Sequence, residues 1–439
     1  MDYEVDVVVV GAGACGMVTA LQAAASGARS VAIFEKSVRQ GCNTQFSSGS
    51  LSAAGTRWQR AAGVDDDPER QARDILTVNG DPGSADLVRA VCGAAPAYLE
   101  WLADDLGYPV ELGLDMPRAG QSVPRLHTDQ GRLGGSRLVD CLRQAVERSP
   151  LIALVDRTPA VGLIERRDAT GVAGVRVREA DGERDVGASA TVLAADGFAA
   201  SPLMLARYCP DADGRIYGGV STSTGDAIQW GLSIGARVAN MASFLGHGFM
   251  VEATGTRLSP ALPFYGAVLV NRQGHRFAEE TASGYSKLAG LVASQPGRRA
   301  LMIWDEDALR ATANSELMRQ SAEAKAFRPY NDFEALSTGT GVVVNPRFVS
   351  DGQRALRPPL YAAWVGAGIL TTQGGLVVDP LGRVAHRAGG HIRGLYAGGG
   401  TASGISGPSA DGYSSGNGLL CAMGLGWIIG NRLGASARS

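Results

Sequence analysis

The stretch from Val5 to Glu35 constrains this chain most. Val5–Val10 is a Val-rich apolar run, the mark of a strand buried on both faces in a parallel sheet. Gly11-Ala-Gly13-Ala-Cys-Gly16 follows at once, Met17–Ser26 reads as a helix of small residues, and Ser30–Phe34 is a second strand ending on Glu35. This is a βαβ unit with the spacing of a dinucleotide fingerprint. Gly11 permits the tight turn, Gly13 lets the backbone approach a pyrophosphate, and Gly16 allows close helix–strand packing. The N–H groups and positive dipole of the helix start then meet the pyrophosphate. Glu35, nineteen residues beyond Gly16, would accept hydrogen bonds from the adenosine ribose. An acid there argues against a 2′-phosphate, hence against NADP, but does not separate FAD from NAD.

The next segment does. Gly41-Cys-Asn-Thr-Gln-Phe-Ser-Ser-Gly49-Ser-Leu-Ser-Ala-Ala-Gly55-Thr56 is a polar, Gly-bounded loop where an NAD-binding unit would continue with a helix. A loop this long and rich in small residues suits a bulkier cofactor lying against the backbone. The sixty glycines of the 439 residues cluster in such stretches. They read as backbone that turns or approaches something closely.

Other classes of function find little support. The net charge is −2, so there is no basic excess to neutralise phosphates and nucleic-acid binding is not expected. The six cysteines (Cys15, Cys42, Cys92, Cys141, Cys209, Cys421) form no CxxC or CxxCH and read as reduced thiols of a cytoplasmic protein. Met1–Asp6 carries acids and no basic n-region, so no signal peptide is read. Val7–Ala25 and Leu419–Ile429 are interrupted by Gly, Thr, Gln or Ser, and neither reads as a membrane span. No GxSxG with a His partner occurs, and His127, His386 and His391 lack metal-ligand spacing.

Further along, Asp67–Gly80, Asp86–Leu106 and Ser136–Arg148 read as helices and Ile152–Val155 as a strand. Val172–Glu179 and Arg184–Ala195 read as an antiparallel ribbon, and Thr224–Gly235 as a short helix. The character changes over Met241–Pro358, which has more charge and Pro and its own strand-turn-strand, Ala267–Asn271 then Arg276–Ala278. The Gly-rich style then returns through Gly374–Asp379 and Gly394–Gly400 to a final helix from about Gly416. The expected fold class is α/β: a discontinuous Rossmann-like FAD-binding domain, 1–241 and 359–439, interrupted by an inserted α+β capping domain, 242–358.

Taken in order, these segments resemble the fumarate reductase/succinate dehydrogenase flavoprotein superfamily. Gly41–Thr56 is similar to its GGNS…SxGGxxAAGT flavin loop, with Cys42 and Ser50 replacing glycines. Thr191-Val-Leu-Ala-Ala195-Asp196-Gly197-Phe198 resembles its VLATGGF turn, and Thr224-Gly-Asp226…Gly235-Ala its TGDG…GA helix. Gly266–Glu280 resembles its GAxLVNxxGxRFxNE strand pair. Thr371–Gly375, Gly394–Gly399 and Gly412–Leu419 complete the set. The resemblance implies bound FAD, with a cap over the isoalloxazine. The cofactor-binding positions it implies are Gly11, Gly13, Ala14, Cys15, Gly16, Glu35, Lys36, Gly41, Cys42, Asn43, Thr44, Ser47, Ser48 and Gly49. To these it adds Ala195, Asp196, Gly197, Gly399, Gly400, Ser415, Gly416, Asn417 and Leu419. In the family the last helix aims its N-terminus at the flavin pyrimidine ring, where its dipole raises the reduction potential. No His lies in Gly41–Thr56, where succinate dehydrogenases carry a covalent link, so FAD is expected to be noncovalent.

The family's dicarboxylate reductases clamp carboxylates with cations. Its terminal clamp reads close to NRLGGNA, and here Tyr413 stands where the Arg would be. The cap's catalytic Arg should follow the RFxNE-like stretch, but Tyr285 is the nearest candidate. The clamp His before TxGG is absent; Leu370 and Thr371 occupy that region. These departures argue against fumarate, succinate or free aspartate. Tyrosines at such places resemble the ketosteroid dehydrogenase branch and its relatives acting on cyclic ketones. That resemblance implies Tyr413 as ketone polariser and Tyr285 as proton acceptor or relay. His247 lies near the family's substrate-binding His, and a packed structural histidine is an equal reading. Tyr98 and Trp101 could line the site, although helix-spaced aromatics favour the core. The expected activity is introduction of a C=C bond α,β to a carbonyl, with hydride passing to the flavin. A small ketone-type molecule would be the substrate, and the electron acceptor would be separate. The alternatives are a fumarate-reductase-like ene-reductase running the opposite way and a non-catalytic flavoprotein.

Overall fold

The computed structural model describes residues 1–114, 118, 120–129, 134–168, 170–282, 284–346 and 355–437. Two compact units divide it. One comprises Met1–Asp211, Gly219–Phe244 and Thr371–Ser439; the other comprises Ala212–Gly218 and Leu245–Leu370.

The first unit is built on a parallel sheet. Its neighbours run His391–Ala397, Gly182–Leu193, Tyr3–Val10, Val31–Phe34, Ile152–Val155, each pair parallel. The apolar run of the first strand explains its central place. Val7–Val10 are all buried, as are Val31–Phe34 beside them, and each Val, Ile or Phe among them contributes about 1.5–3 kcal/mol on burial. Val172–Glu179 and Gly182–Leu193 form the expected antiparallel ribbon, extended by Ala160–Glu165. The expected helices appear at Pro68–Asn79, Ala85–Asp104, Gly135–Arg148 and Asp226–Ser233. Tyr98, Leu99 and Leu102 are buried, and Trp101 packs on Trp427 with ring centroids 5.6 Å apart, so this apolar face is core. A small separate sheet joins Leu51–Ser52, Leu126–Asp129 and Val110–Leu112.

The first helix, Ala14–Ser26, and the last, Asn417–Ala437, press backbone to backbone. Gly426, Gly430 and Gly434 make this possible at four-residue spacing, one face of the last helix. A Cβ on Gly426 would lie 2.7 Å from the Cys15 carbonyl oxygen, and one on Gly430 2.6 Å from that of Thr19. One on Gly434 would lie 2.5 Å from the carbonyl oxygen of Ala23. Backbone cannot give way as a side-chain tip can, so these glycines are packing residues.

The second unit is a six-stranded sheet. Ile216–Tyr217, Leu360–Thr372, Arg299–Asp305 and Val268–Val270 lie in that order, and Phe244–Val251 and Arg328–Tyr330 also pair with the long strand Leu360–Thr372. One face buries Phe249, Leu269, Met302 and Trp304; the other buries Val268, Val270, Leu301 and Ile303. The expected strand Arg276–Ala278 is not formed. Val268–Val270 pairs with Leu301–Ile303, and Arg276 keeps a single bridge to Val270. The reason is local. Arg276 folds back onto Glu280, with Nη2 to Oε2 2.6 Å, while Glu280 Oε1 accepts the Leu269 N–H at 2.7 Å. That buried pair bends the chain out of strand geometry.

The helix glycines give a paired prediction. Gly430→Ala gains about 1 kcal/mol of helix propensity but overpacks against backbone, so it should lower stability by about 1–3 kcal/mol. Gly290→Ala, in Gly284–Ala293 with nothing within 4 Å of the new carbon, should raise it by about 0.5–1 kcal/mol. Urea midpoints of the two variants read both signs.

Candidate active site

The parallel sheet sets the site through its register. Val10 lies opposite Phe34 and opposite Leu193, and Leu193 opposite Ala397. Four strands therefore end together, and four loops leave one carboxyl edge: Gly11–Gly16, Glu35–Thr56, Ala194–Phe198 and Gly398–Thr401. This is where open α/β sheets bind ligands.

The three fingerprint glycines have different jobs. A Cβ on Gly11, at φ +103°, would strike the Ala194 carbonyl, and one on Gly16 the carbonyl of Gly11. Gly13 is open: its nearest would-be neighbours, Cys42 Cβ and Thr44 Oγ1, lie 4.0 Å away. The helix that starts at Ala14 has Gly13 at its N-cap, no side-chain cap and no acid in its first turn. Ala14 N–H donates to Thr44 Oγ1 at 3.2 Å. A helix start whose cap position is an open glycine without a side chain is a cradle for a pyrophosphate, so these residues fit a dinucleotide.

Glu35 is held ready. Its Oε2 accepts the Ala12 N–H at 2.8 Å and its Oε1 the Ser37 N–H at 2.9 Å. Lys36 is turned elsewhere. Its ammonium donates to Thr222 O, Thr224 Oγ1 and Asp226 Oδ2 at 2.8–2.9 Å, which uses all three of its donors. It ties the Thr224-Gly-Asp226 turn to the second strand.

The long loop is pinned by its own polar residues. Asn43 donates to Asp196 Oδ2 at 2.5 Å and to Ser223 Oγ at 3.1 Å, and accepts the Val220 N–H at 3.0 Å. Ser47 Oγ donates to Thr44 O at 2.7 Å and accepts the Gly49 N–H at 3.1 Å; Ser48 Oγ donates to Ser50 Oγ at 3.0 Å. A Cβ on Gly49 would meet the Gly134 carbonyl carbon at 2.6 Å, and one on Gly41 the Gln45 side-chain oxygen at 2.5 Å. Across the edge, Asp196 Oδ1 accepts the Gly197 N–H at 2.8 Å and fills the space a side chain on Gly400 would need. Gly399, at φ +58°, sits over Cys15. Burial pushes the Cys15 thiol up to about 12 and raises that of Cys42, so both remain protonated. All six cysteines are free thiols.

Gly416, at φ +90°, stacks its backbone on Ser52, with a would-be Cβ 2.7 Å from Ser52 Cβ. Asn417 donates to Ser406 Oγ at 3.4 Å, Ser415 O accepts from Gln121 Nε2 at 2.9 Å, and Leu419 is buried. The half-buried Tyr413 turns its hydroxyl over the first turn of the last helix, where it accepts the Gly418 N–H at 3.3 Å. In the second unit, His247 lies in the wholly buried strand Phe244–Val251. Its Nδ1 accepts the Phe249 N–H at 3.3 Å, which leaves Nε2 as the protonated nitrogen. Burial first, then the Arg257 charge, lowers its pKa to about 3, so the ring is neutral. Tyr285 is the second residue of Gly284–Ala293, and its side chain lies outside the described residues.

Sequence reasoning missed the support beneath the flavin-loop strand Leu51–Ser52. Arg125, buried, holds Asp66 with two hydrogen bonds (2.7 and 2.9 Å) and Asp74 with one (2.5 Å). His127 pairs Nε2 with Thr56 Oγ1 at 3.0 Å and Nδ1 with Arg125 O at 2.9 Å; burial above all lowers its pKa to about 4. Gln71 donates to Ser52 Oγ at 3.0 Å. The one available signal was a polar Gln in register with Ile75 and Val78 on a helix's apolar side. Among the described residues no cluster of His, Cys, Asp or Glu could hold a metal, and no helix is long and apolar enough to cross a membrane.

An open pyrophosphate cradle, an acid at the ribose position and a pinned small-residue loop define an FAD-binding flavoprotein. The FAD binding domain family matches residues 6–418, and the chain belongs to that family. It is 29% identical to the NADH:fumarate oxidoreductase of Klebsiella pneumoniae over 99% of its own length and 48% of that protein's, so it spans about half of this relative. It superposes on an open flavocytochrome c3 fumarate reductase with TM-score 0.82 at 26% identity, covering 100% of this chain and 79% of that one. For 3-ketosteroid-Δ4-(5α)-dehydrogenase from Rhodococcus jostii the TM-score is 0.76 at 24% identity, covering 99% and 97%, a likeness of fold.

Two outcomes follow. Glu35→Ala leaves two backbone N–H groups without their acceptor and should weaken FAD binding about tenfold or more, read by fluorescence titration of the apoprotein. The buried histidines set an acid limit. Below pH ~6.5 the unfolded chain binds protons that folded His127 and His247 refuse down to about 4 and 3. Stability therefore falls as pH drops through that window, by about 1.4 kcal/mol per unit for each ring. Unfolding midpoints of His127→Gln and His247→Gln should each show a flatter acid limb; an unchanged slope would refute the neutral assignment.

Proposed function

We propose that this chain is an FAD-dependent oxidoreductase acting on a CH–CH bond beside an uncharged carbonyl, in the dehydrogenating direction. The observation that carries it is Tyr413. Its phenolic oxygen accepts the Gly418 N–H in the first turn of the last helix. A hydroxyl that accepts from a helix-terminal N–H is a better donor, because negative charge gathering on its oxygen is stabilised by that bond and by the dipole. Such a group suits a ketone oxygen, which needs a neutral hydrogen bond as electron density builds on it. Neutral donors would polarise the carbonyl and acidify the neighbouring C–H. Tyr285 is assigned the proton from that carbon. His247, whose Nδ1 accepts the Phe249 N–H, is neutral and so is not a cationic carboxylate clamp. Bound FAD supplies the two-electron acceptor for the hydride. A separate molecule reoxidises it.

A second reading, reduction of a C=C bond conjugated to a carbonyl, is supported by NADH:fumarate oxidoreductase and flavocytochrome c3 fumarate reductase among the relatives. The same donors serve either direction, since both pass through the same charge on the carbonyl oxygen.

Anaerobic titration decides between them. A saturated cyclic ketone should bleach the flavin band, and saturated dicarboxylates should not; re-oxidation of photoreduced enzyme by an enone or by fumarate would favour the second reading. Tyr413→Phe should cut flavin reduction by about 10²–10³-fold while FAD stays bound. Near-normal reduction in that variant would remove Tyr413 as polariser.

A further inference from the structure

A line of hydrogen bonds leaves the start of the last helix and runs in one sense. Asn417, 2% exposed, donates its Nδ2–H to Ser406 Oγ at 3.4 Å. Ser406, 1% exposed, donates its hydroxyl to Gln373 Oε1 at 3.0 Å. Gln373 Nε2 then donates to Thr371 Oγ1 at 3.0 Å. The Thr371 hydroxyl accepts there, so its own proton is still to be given. Among the described residues nothing accepts it, and Thr371 is only half-buried, so the hydroxyl end of the line is not sealed in the core. All four residues belong to the first unit.

The backbone fixes the aim of this line. Gln373 N–H donates to Ser243 O at 2.8 Å, and Gln373 O accepts the Gly404 N–H at 2.9 Å. Side chains two apart on a strand share a face, so Gln373 reaches Thr371 and not Thr372. Thr372 turns the other way, where its Oγ1 accepts the Phe198 N–H at 3.0 Å in the loop Ala194–Phe198. Thr371 thus stands beside the carboxyl edge of the sheet. Each donor in such a line polarises the next, so the last hydroxyl is a stronger donor than a lone threonine. No member carries charge. A carboxylate would call for a cation, whereas a neutral donor matches a carbonyl or hydroxyl oxygen. Tyr413 is tied to the same turn: it accepts the Gly418 N–H, and Asn417 begins the line. Two neutral hydroxyls are therefore anchored on consecutive residues of one helix start.

We propose that Thr371 determines specificity by donating a hydrogen bond to a second uncharged oxygen of the substrate, apart from the carbonyl that Tyr413 polarises. Gln373 is the positioning residue that aims it. The substrate class narrows to a cyclic ketone that carries another carbonyl or hydroxyl. This inference rests on the ketone reading, and its test reads binding instead of turnover.

Two pairs of probes test it: cyclohexanone and its derivative hydroxylated at the opposite ring carbon, and decalone and its derivative hydroxylated on the far ring. Binding to the oxidised holoenzyme is read from the shift of the flavin band. In at least one pair the hydroxyketone should bind about three- to tenfold tighter than its parent ketone, the value of one hydrogen bond. Thr371→Val keeps the shape, removes the hydroxyl and should bring that ratio close to one; Thr371→Ser should restore it. Gln373→Met should lower the ratio with Thr371 still in place. A merely structural role would weaken both members of a pair alike and leave their ratio unmoved. Absence of any hydroxyketone preference in the unmodified enzyme, or a preference that survives Thr371→Val, overturns the assignment. If the preference is present and lost as expected while no ketone bleaches the flavin, the functional reading falls and this inference stands.

Discussion

The ends of four parallel strands, brought level by their hydrogen-bond register, are the constraint on which the first unit depends. Because Val10, Phe34, Leu193 and Ala397 finish together, the loops after them share one edge. Each loop is then shaped by what the edge leaves free. Gly11 N–H donates to Phe34 O at 2.9 Å and Gly398 N–H to Leu193 O at 3.0 Å, so the ladder is completed by the first residues of the binding loops. A displacement of one strand by one residue would therefore move a cofactor contact as well as a core side chain.

The same economy of space explains the glycines. Some leave open space beside the loops, as Gly13 does. More are spent on protein packing: Gly11 under Ala194, Gly49 against Gly134, and the last helix against the first. The closeness of those two helices fixes where the last helix begins. Asn417 and Gly418 stand where they do because Gly426, Gly430 and Gly434, further along the same rigid rod, are locked against Cys15, Thr19 and Ala23. A helix is stiff enough for packing at one end to set the position of its N-terminal N–H groups at the other.

This distribution also says what a sequence can show. The βαβ unit, the loop Gly41–Thr56 and the Gly-rich returns were legible because periodicity and glycine spacing are local properties. Arg276–Ala278 misled because a donor on the preceding strand, the Leu269 N–H, claimed the Glu280 carboxylate and bent the segment. The partners of the Lys36 ammonium were equally hidden, since its three acceptors come from residues almost two hundred positions away. The Arg125–Asp66–Asp74 network and Gln71 had no motif at all. Buried polar groups are recognisable only by their partners, and partners are a property of the fold.

Asp196 shows how a departure from a family pattern can be absorbed. The resembling motif has Gly at this place, and the backbone keeps the left-handed conformation, φ +67°, that favours Gly. For a residue with a Cβ that conformation costs about 1–2 kcal/mol, and Asp is among the few residues that tolerate it. The side chain offsets the cost. Its carboxylate accepts from Asn43, Ser223 and the Gly197 N–H, and its carbonyl accepts from Thr401 Oγ1 at 3.0 Å. Charge-assisted bonds of this kind are worth about 1.5–3 kcal/mol each, enough to exceed the strain. The carboxylate also occupies the space beside Gly400, so position 400 can carry no side chain while position 196 carries this one. The two sites form a single steric choice. The flavin loop, held through Asn43, is anchored by an acid that belongs to the opposite side of the same sheet edge.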